Sequence, residues 1–521
     1  MTQQDPQTEA KIARQAVVNK QRRVVFNDDT YELSRSDANT PEGFLKRRLE
    51  PLAGTHVDTI SFSVLGAWAD APVYDSRVQP IYGDAHGGPP AYFSDVTANV
   101  KALIKTGRCP LQIVIDFAHG NGMELFASVR MNDCHDSFIP GGVTIWKKQH
   151  PELMVDSDGV PPDKVKHPLG LYVTAQDFSH EQVRQRKFEI IEEVCRRYDI
   201  DGLSLNYMRH PVFFSRIMQG LPATVEEVQI MTSFMRRIRG FTDEVAALRG
   251  RPLLLSAIVP DNLQLSLNIG LDVKTWLEED LLDIVIPGLG YAPFTLPVEQ
   301  WTELAHHYNV PVYPCINKQA PWQVSNDAIT EGIRAVAANW YRAGADGIHF
   351  WNLGTPFEGK AGQELIDIRQ RYYTCLKEVG DPKMLIGKDK LFCADHPVLS
   401  YYTHVSSQPP LPVVLKEDVV QCVPLVVADD FGAARNRGPV AVLELQIILK
   451  GQVRKEALVF RLNDKLLTDG KFVNAHILYY SLSASQLKTG KNIIEASLKS
   501  TAASAVQLQG LQLKTEYKAD K

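Results

Sequence analysis

The sequence is poor in the features that would place a chain in a membrane, on nucleic acid or around a metal. No apolar run approaches the roughly 20 residues needed to cross a bilayer. Basic charge is not in excess: 56 Lys and Arg stand against 61 Asp and Glu, a formal net charge of −5. That balance gives no electrostatic footprint for nucleic acid or an acidic membrane. The opening residues, Met1-Thr2-Gln3-Gln4-Asp5, lack both the basic and the apolar part of a signal peptide. A cytoplasmic protein is expected from the chain as written, and a periplasmic or secreted one if a leader has been removed. Cysteine is scarce, with seven residues at 109, 134, 195, 315, 375, 393 and 422, and no Cys-x-x-Cys pair or metal spacing among them. Buried free thiols are expected rather than a disulfide framework. The His-Glu-x-x-His, P-loop, Gly-x-Gly-x-x-Gly and Gly-x-Ser-x-Gly motifs are all missing. No cofactor is expected.

What is present describes an ordinary globular chain, 44% apolar and 22% charged over 521 residues. That length exceeds what one core usually covers, so two or more domains are expected. Short apolar or β-branched runs occur at Arg23–Phe26, Val57–Leu65, Met123–Arg130, Asp201–Asn206, Leu253–Val259, Leu282–Pro287, Val310–Ile316 and Gly347–Trp351. Amphipathic segments such as Glu181–Tyr198, Val225–Leu248, Val298–Tyr308 and Asn326–Ala343 lie between them. Strand–helix alternation implies parallel pairing through right-handed crossovers, and eight such strands predict a closed (β/α)8 TIM barrel. Strand parity agrees. Leu203 and Leu205 share one face while Ser204 and Asn206 share the other; Ile348 and Phe350 likewise oppose His349 and Trp351. The aliphatic faces suit the helical layer, and the polar ones the lumen or its mouth. The Asp-Gly pairs at 201–202 and 346–347 read as turn chemistry, with glycine supplying positive φ and the aspartates lying at the bottom face.

Near residue 380 the pattern changes. Gly380-Asp381-Pro382 follows the last barrel helix, and from about Pro409 strand-like runs recur between turn signals: Ala441–Leu449, Ala457–Leu462, His476–Ser481, Asn492–Leu498 and Val506–Thr515. A C-terminal antiparallel β-sandwich is predicted. The expected organisation is an N-terminal extension over 1–20, a barrel over 21–380, a link over 381–408 and an accessory sandwich over 409–521.

In parallel α/β proteins the residues just past the strand ends face the ligand. Those positions hold Asn27, Asp28 and Asp29; Trp68 and Asp70; Arg130, Asn132, Asp133, His135 and Asp136; and Asn206, Tyr207, Arg209 and His210. Later strands add Asp261, Asn262, Tyr291, Asn317, Lys318, Trp351 and Asn352. Carboxylates, amides, arginines and aromatic rings in one mouth suit a polyhydroxylated ligand, whose hydroxyls need planar donors and acceptors and whose C–H faces need rings. Substrate binding is assigned to Trp68, Arg130, Asn132, His135, Asn206, Tyr207, Arg209, His210 and Trp351. Asp133 is the first choice for a catalytic carboxylate, with an ion pair to Arg130 or Arg209 as its structural alternative. Asp28 and Asp29 have turn capping as theirs, and the two tryptophans core packing. A metal held by Asp133, His135 and His210 is a weaker reading.

The strand Asp201–Asn206 followed by Tyr207-Met208-Arg209-His210-Pro211 resembles the glycosyl hydrolase-like 10 family, relatives of α-amylase-type and other barrel glycosidases. The stretches Leu111–Gly122 with Met123–Asp133, the His150-Pro151-Glu152 loop, Gly270-Leu271-Asp272-Val273 with Trp276, and Arg342–Gly347 fit the same pattern, over roughly residues 20–380. The resemblance implies a barrel acting on glycosidic bonds, commonly with an accessory β-domain. One departure matters. Relatives usually carry an acidic residue at the end of the fourth strand, where this chain has Asn206, and an amide is neither nucleophile nor general acid. The position is explained by an Asp-to-Asn change that silences catalysis, by natural loss of catalysis in a binding protein, or by other carboxylates taking over while Asn206 holds a substrate hydroxyl. The third is favoured.

The expectation is therefore a glycoside hydrolase acting on an oligo- or polysaccharide through two carboxyl groups. Asp133 is one, and its partner is to be found among Asp28, Asp29, Asp136, Asp261 and Glu358. Arg130, Arg209 and His210 would bind substrate and tune the acid. The alternatives are a noncatalytic carbohydrate-binding barrel and a metal-dependent barrel enzyme.

Overall fold

The computed structural model describes residues 6–66, 68–88, 94–139, 141–156, 168–288, 296–316, 328–353, 362–394, 402–431, 440–451, 454–499 and 505–517. Eight short parallel strands come first: β1 (Val24–Asp28), β2 (Val57–Ser63), β3 (Glu124–Arg130), β4 (Gly202–Asn206), β5 (Leu254–Val259), β6 (Ile284–Pro287), β7 (Cys315–Ile316) and β8 (Ile348–Phe350). They pair in the order β6-β5-β4-β3-β2-β1-β8-β7. Val285 completes the ring just ahead of β7, its N–H donating to Pro311 O at 3.1 Å and its carbonyl accepting from Tyr313 N at 2.9 Å. This is the (β/α)8 barrel that strand–helix alternation predicts.

The amphipathic segments form helices at Glu181–Arg197, Val225–Arg249, Val298–His307 and Ile329–Arg342. The longest starts on a capping box, Thr224 with Glu227, and stops at Gly250 with φ 67°. Strand register sorts the two faces. Ser63, Ser128, Ser204 and Ser256 are paired across β2 to β5, and Arg130 pairs with Asn206. Residues paired in register share a face, so the lumen carries serines and amides while Leu125, Ala127, Leu203, Leu205 and Leu255 meet the helices.

The Asp-Gly pairs do lie at the strand starts, but not for the expected reason. Neither glycine has positive φ. A Cβ on Gly202 would sit 2.7 Å from the Phe126 ring, and one on Gly347 2.3 Å from Arg22 O. Close packing, not turn geometry, demands glycine there. The preceding aspartates lock adjacent strands at the bottom: Asp201 accepts from Leu125 N and Asp346 from Val312 N, both at 2.8 Å.

The C-terminal strands are β9 (Lys390–Cys393), β10 (Val413–Leu415), β11 (Gln421–Val427), β12 (Val440–Lys450), β13 (Leu458–Leu462), β14 (Lys465–Leu466), β15 (Lys471–Asn474), β16 (Ile477–Ser481), β17 (Gly490–Leu498) and β18 (Val506–Tyr517). They form two antiparallel sheets, β10-β18-β12-β16-β15 with β9 also on β18, and β11-β17-β13-β14. The sandwich core is separate from that of the barrel, except that Ala335 of the helix Ile329–Arg342 packs into it. β9 falls inside the segment expected to be a link. Among the described residues no helix is long and apolar enough to cross a membrane. All seven cysteines are free.

Candidate functional site

At the barrel mouth five side chains form a continuous row: Asp29, Arg130, Asp133, His135 and Arg209. Arg130 ends β3 on the luminal face and is fully buried. Its Nε donates to Asp29 Oδ1 at 3.1 Å, and its Nη1 to Asp133 Oδ2 at 2.8 Å and Gly66 O at 2.7 Å. Asp133 folds back on its own chain. Its Oδ1 accepts from His135 N at 3.1 Å, an Asx turn that starts the short helical turn His135–Ser137, and from His135 Nδ1 at 2.8 Å. The Nε2 of that ring meets Arg209 Nη2. His210 stands edge-on to His135, ring centres 4.8 Å apart, and its Nδ1 accepts from Cys134 N at 3.0 Å. On the other side Asn352, just past β8, donates to Asp29 Oδ2 at 3.1 Å.

Burial alone would raise the Asp133 carboxyl, but the donors from His135 and the charge of Arg130 outweigh it and hold it well below the usual carboxylate range. Asp29 is also held low, burial being outweighed by Arg130 and Arg209. Burial and the neighbouring Arg209 push His135 down to about 4, and His210 well below its ordinary value. At neutral pH the row therefore carries two anions, two guanidinium cations and one neutral imidazole, with the neutral His210 ring beside it. Its charge cancels internally.

Of the residues expected at the mouth, Arg130, Asp133, His135, Arg209 and His210 come together. Asn206 lies beside Arg130 in register; its Oδ1 accepts from Met208 N at 3.1 Å, and its Nδ2 is buried with no partner among the described residues. Trp351 is fully buried, and its indole N–H is likewise unpartnered among the described residues. Trp68, half-buried with φ 68°, stands edge-on to Tyr31 at 5.1 Å.

Two expectations need correction. Tyr207 points away from the mouth: it continues the Leu203 and Leu205 face, gives its hydroxyl to Met235 Sδ at 3.0 Å and packs 5.5 Å from the Trp276 ring. Asn132 spends its amide on backbone, donating to Gln176 O at 3.0 Å and Val212 O at 2.8 Å and accepting from Gln176 N at 2.9 Å. It fastens loops rather than meeting ligand.

The other carboxylates named as partners for Asp133 are engaged elsewhere. Asp28 faces the outer layer and pairs with Arg48 at 3.1 Å. Asp136 pairs with Lys147 at 2.8 Å, and Asp70 of the mouth list with Lys187 at 2.9 Å. Asp261 accepts from Ser407 N at 2.6 Å. Tyr291, Asn317, Lys318 and Glu358 lie outside the described residues.

Sequence reasoning missed one contributor. Tyr402, in the segment read as a link, donates to Arg209 O at 2.7 Å and accepts from Arg209 Nη1 at 3.2 Å. The two are 193 positions apart, and no local pattern announces such a contact.

The ligand atoms of Asp133, His135 and His210 lie within 4.8 Å of one another, the spacing of a metal site. The chemistry does not fit one. His135 Nδ1 is committed to Asp133, His210 Nδ1 to Cys134 N–H, and Arg209 already sets its positive charge against His135 Nε2.

No family model matches the chain, so the glycosyl hydrolase-like 10 assignment stays a resemblance. No curated protein matches it either. Among solved structures the chain is similar to α-L-fucosidase isoenzyme 2 from Paenibacillus thiaminolyticus, at 15% identity and TM-score 0.42, covering 69% of this chain and 49% of that one. It is also similar to the PgaB (BpsB) glycoside hydrolase domain from Bordetella bronchiseptica, at 12% identity and TM-score 0.42, covering 69% and 99%. A third is the α-amylase from Geobacillus thermoleovorans, at 9% identity and TM-score 0.40, covering 92% and 100%. These neighbours are glycoside hydrolases with barrel folds, and similarity this distant assigns no role to any residue here.

Proposed function

We propose that the chain recognises a glycan, a neutral oligo- or polysaccharide, at the mouth above Arg130, Asn206 and Trp351, and that Asp133 is not its proton donor. The internal cancellation of charge along Asp29, Arg130, Asp133, His135 and Arg209 carries this reading. An ionised carboxylate with both oxygens hydrogen-bonded has no proton to give. What the mouth offers beyond the row is neutral: an amide, an indole N–H and the His210 imidazole, groups that match hydroxyls rather than ions.

Hydrolysis is the second reading, favoured by one observation. Asp29 and Asp133 flank a single guanidinium, and both are ionised. Either is competent as nucleophile or base, with the acid supplied by another residue, Glu358 being the remaining carboxylate named from sequence.

Calorimetric titration and initial-rate measurement on one panel of neutral glycans, with wild type and Asp133→Asn, tests both. Binding by the wild type without turnover is expected. Turnover that disappears in Asp133→Asn would favour the hydrolase, and a panel with no binder at all would remove both.

A further inference from the structure

The lumen beneath the charged row holds a band of serine, asparagine and histidine side chains beside Phe126, Ile258 and Ile284, where a (β/α)8 interior is ordinarily filled by branched aliphatic ones. Asn27 Oδ1, Ser61 Oγ, Ser128 Oγ, Ser204 Oγ, Asn206 Nδ2 and His349 Nε2 are all buried, and none has a hydrogen-bond partner among the described residues. The Trp351 indole N–H joins them just past β8. They are not scattered. Asn27 pairs with Ser61 in register and Ser128 with Ser204, all on the face turned from the helices.

Paired ions bound this space above and below. At the bottom Glu124 accepts from Arg22 Nε at 2.6 Å and Thr59 Oγ1 at 3.0 Å. At the top Arg130 lies between Asp29 and Asp133. Between the two layers the compartment is neutral. Burial drives His349 down to about 3, so its ring is uncharged, and its Nδ1 lies 3.2 Å from Cys315 Sγ. Leaving a buried hydroxyl, amide or ring nitrogen unpaired is costly, and this many in one place call for partners that the described residues do not supply.

We propose that the lumen is a binding compartment for neutral hydroxylic species: water in the free protein and, at its upper end between Asn206 and Trp351, a hydroxyl-bearing end of the glycan. The chemistry selects the class. Serine hydroxyls and either His349 tautomer donate or accept, Asn27 accepts, and Asn206 and Trp351 donate, so an occupant must do both, as water and a sugar hydroxyl do. A carboxylate or phosphate would need a cation, and Arg130 is already committed. Only the upper end of the compartment rests on the glycan reading of the mouth.

High-resolution crystal structures of the full chain, free and with a glycan that binds, test the proposal alongside titrations of Ser204→Ala and Ser204→Val. Ordered waters are expected on Ser128, Ser204 and His349 in the free protein. The ligand should displace the uppermost of them and place a hydroxyl against Asn206 Nδ2. Ser204→Val, which fills the space with methyl groups, should lose about tenfold or more in affinity, and Ser204→Ala about threefold. If Ser204→Val fails to fold, the double variant Ser128→Ala with Ser204→Ala takes its place, with about tenfold loss expected. A dry lumen overturns the proposal, as does wild-type affinity in these variants with the waters left in place. If no glycan binds the wild type, the mouth reading fails and the lumen is judged on the free protein. Waters on these atoms, expelled by Ser204→Val, then uphold the compartment, and a dry lumen overturns it.

Discussion

The two ends of one barrel use carboxylates in different ways. At the bottom Asp201, Asp283 and Asp346 each accept a backbone N–H, from Leu125, Leu255 and Val312, at 2.7 to 2.8 Å. Each then adds a side chain: His119 and Arg251, Arg239, and His306 respectively. They splice one strand to the next. At the mouth Asp29 and Asp133 bond to Arg130, His135 and Asn352, and the one backbone N–H between them, His135 N, belongs to a turn. A carboxylate bonded to the sheet backbone is used up by the fold. One bonded to other side chains is free to arrange functional groups, the role the proposed function gives the mouth.

The largest expected effect tests this directly. Arg130→Met leaves Asp29 and Asp133 buried without their shared cation and should cost about 3–5 kcal/mol of stability. Asp201→Asn at the bottom keeps an acceptor oxygen for Leu125 N and sits closer to solvent, so its cost should be about 1 kcal/mol. Urea unfolding of both variants gives the two values. Equal costs at the two ends would break the comparison.

The mouth should also leave a signature in pH. His135 titrates near 6.5 when unfolded and at about 4 when folded, so between those values the unfolded chain holds a proton that the folded one does not. Stability must therefore rise with pH across that window, by about 3 kcal/mol for this ring alone. Asp133 acts below it: its depressed folded value gives stability that is present above the ordinary carboxylate range and lost as the pH falls further. His135→Gln should remove one proton from the slope between pH 4 and 6.5. An unchanged slope would mean that His135 is not held neutral.

Asn206→Asp sharpens the same contrast at the ligand. It replaces an N–H donor beside Arg130, unpartnered among the described residues, with an anion. For a glycan-binding mouth, affinity should fall about tenfold. Hydrolysis appearing in this variant would instead identify a silenced site and displace the binding reading.

Much of the fold is legible in the chain because parity and period are local properties. Leu203 and Leu205 against Ser204 and Asn206 sort the two faces of β4 before any coordinate is known. The same parity, carried one step further, puts Tyr207 on the helical face, so the signal for that correction was present. The glycines needed three dimensions, since Gly202 is required by Phe126 and Gly347 by Arg22 O. So did the row itself: Asp133 and His135 are neighbours in sequence, but Asp29 and Arg130 are 101 positions apart.

The smallest expected effect concerns the segment that leaves the barrel. Tyr402 grips Arg209 twice, through the backbone carbonyl and through Nη1. Tyr402→Phe keeps the buried ring and removes both hydrogen bonds, so Arg209 loses one of the contacts that hold it against His135. A loss of about threefold in glycan affinity is expected, the size of one modest hydrogen bond. Tyr517 is the control from the sandwich, with its hydroxyl donating to Asp429 Oδ2 at 2.6 Å and no bond to the row. Tyr517→Phe removes a comparable bond and should leave affinity unchanged while costing some stability. If the two variants lower affinity alike, the effect is a general loosening and the segment around Tyr402 is only a connection. If Tyr402→Phe alone does so, the mouth extends beyond the barrel's own loops, and the chain that joins the two domains is part of the site.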